Sequence, residues 1–127
     1  MVSCSWLVQR SWLFLSLALL AAITWGSLTP GMPLPDILPW DKARHFLAYA
    51  AIALPVAIAR PRGWPLLLAG ILAWSIGIEL VQPLVGRSRD IDDFLANSLG
   101  ALLAVLVALP LRPILAHIGR TSVAIPK

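Results

Sequence analysis

Charge is scarce in this sequence: 13% of its residues are Asp, Glu, Lys or Arg, against 59% hydrophobic, and the mean hydropathy is +0.84. A soluble domain of 127 residues needs far more polar surface to stay in solution. Cysteine is nearly missing. Cys4 stands alone, which excludes an intramolecular disulfide and a redox pair. No apolar stretch precedes Cys4, so a lipid-anchored cysteine is not expected. The chain also lacks a P-loop, a dinucleotide fingerprint and an H-E-x-x-H motif. Motifs therefore call for no cofactor and no metal; His45 with Asp and Glu could hold a divalent ion, but without the spacing of a known motif. Proline is plentiful, at 11, but falls mainly in loops and near the ends of apolar runs, where it punctuates rather than signals disorder.

What is present is four apolar runs. They extend over Trp12 to Leu28, Phe46 to Ala59, Trp64 to Val85 and Phe94 to Leu109, the last continuing unevenly to Leu115. A bilayer span takes ~20 residues. The first and third runs qualify outright. The second and fourth reach that length when their polar starts lie at headgroup level or in a protein-lined pocket. The expectation is an all-α, polytopic membrane protein: one domain over 1–127, with about four transmembrane helices near 11–28, 42–60, 64–84 and 92–110. The first run also has features of a cleaved signal peptide, with Arg10 before it. No A-x-A-like site follows, and Thr29-Pro30-Gly31 reads as a turn. The topology of the rest is the same either way.

The formal charge of +4 and a pI near 10.2 would by themselves suit nucleic acid. Their distribution argues otherwise. With both termini in the cytoplasm, Arg10, Arg60, Arg62, Arg112, Arg120 and Lys127 lie inside, and Lys42, Arg44, Arg87 and Arg89 outside. All six acids (Asp36, Asp41, Glu79, Asp90, Asp92, Asp93) then fall on the outer side. A purely basic inner face fits anchoring to an anionic leaflet, not nucleic acid. The reading is N-in, C-in, with loops 29–42 and 86–93 outward.

Lipid provides little hydrophobic drive between helices, so small residues mark where they pack. The stripe Ala96, Gly100, Ala104, Ala108 on the fourth helix and Ala69, Ala73, Gly77 on the third are candidates for helix contacts. Pro55 and Pro83 free carbonyls near Ala51 and Glu79. At Pro83 this means either a kink that opens a pocket or an ordinary helix end.

Polar residues converge on the outer layer. Asp41, His45 and Tyr49 are spaced i, i+4, i+8 on one helical face. Glu79 and Gln82 are i, i+3 on the third helix, and Asp90, Asp93 and Asn97 begin the fourth. At ~1.5 Å per residue, Glu79 lies roughly 10 Å below the outer end of its helix, His45 roughly 6 Å and Asn97 roughly 5 Å. Plain roles compete with functional ones. Asp41 and Asp90 suit helix caps, and Asp92 and Asp93 suit a helix start. Lys42 and Arg44 suit snorkelling, and Arg87 and Arg89 suit pairing with the aspartates. His45 suits a structural hydrogen bond, and Tyr49, Trp40 and Trp64 an interfacial belt or the core. Glu79 is harder to dismiss. A charge inside a span costs about 2.5–3.5 kcal/mol on insertion scales and calls for a partner, here Arg87, Arg89, Lys42 or His45.

Three segments together resemble the VanZ-like family of bacterial membrane proteins. They are Asp41-Lys42-Ala43-Arg44-His45-Phe46-Leu47-Ala48-Tyr49, Glu79-Leu80-Val81-Gln82, and Gly86-Arg87-Ser88-Arg89-Asp90-Ile91-Asp92-Asp93 followed by Asn97 and Gly100. The resemblance covers about 39–105. Ala104 departs from it, where the family often has a second glycine. It implies a multi-pass helical protein of the bacterial cytoplasmic membrane with these residues as its signature, in a family named for an association with resistance to the glycopeptide teicoplanin. It implies no reaction.

Three functions follow as expectations. The leading one is binding or modification of a phosphate-bearing lipid or cell-wall precursor at the outer face, with Arg87, Arg89, Lys42 and Arg44 as phosphate contacts. Asp41, Glu79 and Asp93 would orient those cations, with Tyr49, Gln82, Asp90 and Asn97 completing the candidate site. The second is an enzyme on a lipid-linked substrate, with Glu79, His45 or Asp93 as acid or base. The third is a helper protein whose polar cluster ties its helices. Four helices give a transporter little room, and a homo-oligomer remains open.

Overall fold

The computed structural model describes residues 4–30 and 41–123, and side chains within 10–30 and 42–117. Asp36, Trp40 and Lys127, and the side chains of Asp41 and Arg120, lie outside the described positions. Four α-helices follow one another: α1 (Cys4–Leu28), α2 (Asp41–Ala59), α3 (Trp64–Val81) and α4 (Ile91–Val123). A one-turn 3-10 helix, Gln82–Val85, extends α3. No strand occurs among the described residues. Arg10–Leu28, Lys42–Ala59, Trp64–Val85 and Ile91–His117 are each long and apolar enough to cross a bilayer. The large side chains they turn outward, such as Leu66, Trp74, Leu99, Leu102 and Leu106, are those a hydrocarbon environment accepts.

Close backbone approach, rather than bulky interdigitation, joins α2 to α4. Ala96, Ala104 and Ala108 are buried, and a Cβ placed on Gly100 would overlap the carbonyl oxygen of Phe46 and sit 3.0 Å from the Ala50 amide nitrogen. Small residues therefore let two helices touch where lipid supplies little drive for association. The expectation that the small-residue stripe of α3 also makes a helix contact is corrected. Ala69, Ala73 and Gly77 are exposed, and nothing approaches a Cβ at Gly77 within 4 Å. The buried face of α3 is instead Ile71, Ser75, Ile78 and Glu79. A small-residue pattern states that a helix can be approached, not that it is.

The core lies around α2. Tyr49, Ile52, Val56 and Ile71 form one cluster, with Trp12, Leu19 and Ile23 of α1 packed on it. Ala53, Ala101 and Ala104 form a second under Leu68 and Leu72. Polar bonds pin α1 to its neighbours: Ser16 Oγ donates to the Ile52 carbonyl at 3.1 Å, and Trp74 Nε1 donates to Thr24 Oγ1 at 2.9 Å.

Prolines act differently along the chain. Pro83 lies just past the end of α3, in the 3-10 turn, and Gly86 closes that turn at φ 77, a left-handed conformation that glycine adopts without strain. Of the two readings for Pro83, an ordinary helix end is observed. Pro110 and Pro113, by contrast, do not stop α4, which runs to Val123 rather than ending near 110. The apolar sequence continues through them, and Arg112 Nε donates to the Ile58 carbonyl at 2.9 Å, holding the extension to α2. At that same end the Arg60 guanidinium lies 5.0 Å from the Trp64 ring centroid.

The crossing yields a direct expectation. Gly100→Ala should force α2 and α4 apart and destabilise the protein by about 1–3 kcal/mol, the usual cost of overpacking, while Gly77→Ala should be neutral. Thermal midpoints of both variants in detergent check this, and equal midpoints would contradict the crossing.

Candidate functional site

The starts of α2 and α4 and the ends of α1 and α3 share one end of the bundle. Lys42 bridges α2 to α4 there, with Nζ 2.8 Å from Asp90 Oδ2, 3.3 Å from Asp92 Oδ2 and 3.8 Å from Asp93 Oδ1. Asp90 also caps α4: its Oδ1 accepts the Asp92 amide at 2.9 Å, and its carbonyl accepts the Asp93 amide at 3.1 Å. Its own amide donates to Glu79 Oε2 at 3.3 Å. One aspartate thus joins three helices.

Below this exposed layer the groups are buried or half-buried. His45 Nε2 stands 3.4 Å from Asp93 Oδ2, and Glu79 joins them: one ligand-type atom from each of the three lies within 4.8 Å of the others. Glu79 and Asp93 are 6% and 7% exposed. A turn deeper, Asn97 Nδ2 donates to Ser75 Oγ at 2.6 Å, and Tyr49 is buried within hydrogen-bonding reach of the same hydroxyl. Gln82 is buried beside Glu79 on the same helical face.

The expected partners of Glu79 sort themselves by this geometry. His45 and the Asp90 amide are its neighbours. Lys42 engages the aspartates of α4 instead, and Arg87 Nη1 donates to the Gly26 carbonyl of α1 at 3.1 Å. Arg87, Arg44 and His45 line a cavity of about 220 Å³ whose other walls are Ala22, Ile23, Gly26, Ser27 and Ala48. Arg89, exposed, lies on the far side of the cluster with Glu79, Asp90, Ile76 and Phe94 around a recess of about 350 Å³. The two hollows flank the group of His45, Glu79 and Asp93.

Sequence reasoning missed two contributors. Ser75 precedes Glu79 by one turn and is a polar residue inside an apolar run, so it was legible in principle. The Gly26 carbonyl carries no side-chain signal.

Together these features define a class: a four-helix, membrane-spanning protein with a polar cluster buried at one end. The chain belongs to the VanZ/LLP1 family, whose sequence pattern matches residues 6–115, most of its length. No curated protein and no solved structure matches the chain significantly.

Asp90, outside the spans, has its carboxyl held below the usual aspartate range, first by the Lys42 ammonium and then by the Asp92 amide. The bridge is therefore intact above the ordinary aspartate pKa and lost as pH falls through the lowered value. In Lys42→Met the Asp90 pKa should rise towards, but not to, its ordinary value, because the Asp92 amide remains. Carboxyl-carbon NMR titration of the micellar protein checks the direction, and an unchanged pKa would refute the bridge.

Proposed function

We propose that the protein binds a phosphate-bearing lipid or lipid-linked cell-wall precursor at the outer face of a bacterial cytoplasmic membrane. One observation carries the reading: two guanidiniums, Arg44 and Arg87, share with His45 and Ser27 a cavity whose remaining walls are small or apolar. Arg44 is near the start of its span and Arg87 just past the end of another, which would put both at the level of lipid headgroups. A guanidinium has five N–H donors in a fork that matches phosphate oxygens. Arg87 commits Nη1 to Gly26, which fixes the orientation of the fork. An acyl or isoprenoid tail would lie along the outward apolar faces of α1 and α2.

The outer-face assignment draws on charge. Arg10, Arg60, Arg62 and Arg112 belong to the opposite end, with no acid beside them in the sequence, which suits the cytoplasmic side. Altered glycopeptide susceptibility is the cellular phenotype that this reading proposes. A second reading, an enzyme on a lipid-linked substrate, draws on the imidazole–carboxylate contact of His45 and Asp93 at 3.4 Å, an arrangement suited to moving a proton.

Native mass spectrometry of gently solubilised protein tests the first reading. A defined phosphate-bearing lipid should accompany the wild type and fall at least tenfold in Arg44→Gln/Arg87→Gln. Arg89→Gln, on the other face of the cluster, should matter less. Equal, heterogeneous lipid on folded wild type and double variant would overturn the proposal.

A further inference from the structure

His45, Glu79 and Asp93 come from α2, α3 and α4, and no linear motif unites them. In the fold their ligand-type atoms lie within 4.8 Å of one another. Donors about 2.1 Å from a tetrahedral zinc ion are spaced about 3.4 Å apart. The His45–Asp93 pair is already at that distance, 3.4 Å. Glu79 needs only a small side-chain adjustment to complete the set. We infer that these three residues form a binding site for a divalent transition-metal ion, zinc or a close neighbour in the series.

The electrostatics favour an ion. Two carboxylates, each under a tenth exposed, share one buried site. Carboxylates this close repel strongly away from water. The cations around them are placed unevenly. Lys42 is 3.8 Å from Asp93 Oδ1 and nearer to Asp90 and Asp92, while Arg44 and Arg87 line the cavity beside His45. A dication among the three donors would neutralise both acids at once.

A second observation points to a ligand in the same place. Gln82 and Asn97 are each 2% exposed, and among the described residues neither Gln82 Oε1 nor Asn97 Oδ1 has a hydrogen-bond partner. Buried amide oxygens are almost always satisfied. Each stands one turn along from a triad member, Gln82 from Glu79 and Asn97 from Asp93, on the same helical face. They are neutral oxygens suited to hold a metal-bound water. The Asp90 amide already orients Glu79 through Oε2, as outer-shell donors orient metal-bound carboxylates.

The donor set selects the metal. One imidazole with two carboxylates suits zinc, manganese or iron(II), whereas calcium and magnesium prefer oxygen alone. Three protein ligands also leave coordination positions open, as in sites that bind an exchangeable group rather than purely structural ones.

The experiment uses the full chain, without a histidine tag, in detergent. Cys4→Ser and His117→Ala remove the only other thiol and imidazole. Stripped protein is titrated with Zn²⁺ by calorimetry and with Co²⁺ by visible absorption. The expected result is one equivalent of zinc per chain and a cobalt d–d band that zinc displaces. Asp93→Asn and Glu79→Gln should each weaken zinc at least tenfold while keeping wild-type circular dichroism. Failure of the parent protein to bind either ion overturns the inference without reference to any variant. Zinc binding unchanged in the folded variants overturns it equally. Lipid retention by the metal-stripped protein is a separate readout, so loss of one proposal does not carry the other with it.

Discussion

The backbone crossing of α2 and α4 at Gly100 places everything else at the polar end. Phe46 and Ala50 lie against Gly100, so the residue before Phe46, His45, is brought alongside Asp93, two turns before Gly100 on α4. The same register sets Lys42 over Asp90 and Asp92. A side chain at position 100 would hold the helices apart and lengthen each of these contacts together. In lipid, where helices gain little from hiding apolar surface, such a close crossing and the polar bonds around it have to provide the cohesion.

The remaining helices are fitted to that pair. α3 inserts a narrow polar edge, Ser75 and Glu79, and leaves Ala69, Ala73 and Gly77 outward. α1 is held by Ser16, by Thr24 with Trp74 and by the Gly26 carbonyl under Arg87. Layering results. Lys42 with Asp90 and Asp92 forms an exposed lattice, the half-buried His45 with buried Glu79 and Asp93 a second beneath it, and Tyr49, Ser75 and Asn97 a floor. Burying charge in such a place is costly unless it is paired or serves a ligand. That cost is why the cluster reads as more than a tie between helices.

Much of this was legible in the residues. Span number and order follow from the length of apolar runs, and the polar layer from helical spacing, because both depend on local periodicity. Helix pairing was not legible: α3 and α4 carry equivalent small-residue stripes, yet only that of α4 is used. Nor did Pro110 and Pro113 end α4 as their chemistry suggests, since contact with α2 through Arg112 supports the helix beyond them. Helical spacing placed His45, Glu79 and Asp93 in one outer layer, but their close approach was not legible, for a related reason. Their positions are 34 and 14 residues apart in sequence, and only the tertiary register makes them neighbours.

On the proposed reading, the buried acids are kept for a ligand rather than for cohesion. Unfolding of Glu79→Gln, with no added metal or lipid, tests it most directly. Gln keeps an oxygen for the Asp90 amide and removes a charge beside Asp93. The account predicts a thermal midpoint equal to or above that of the wild type. A clear drop in midpoint would contradict it and make Glu79 a structural tie.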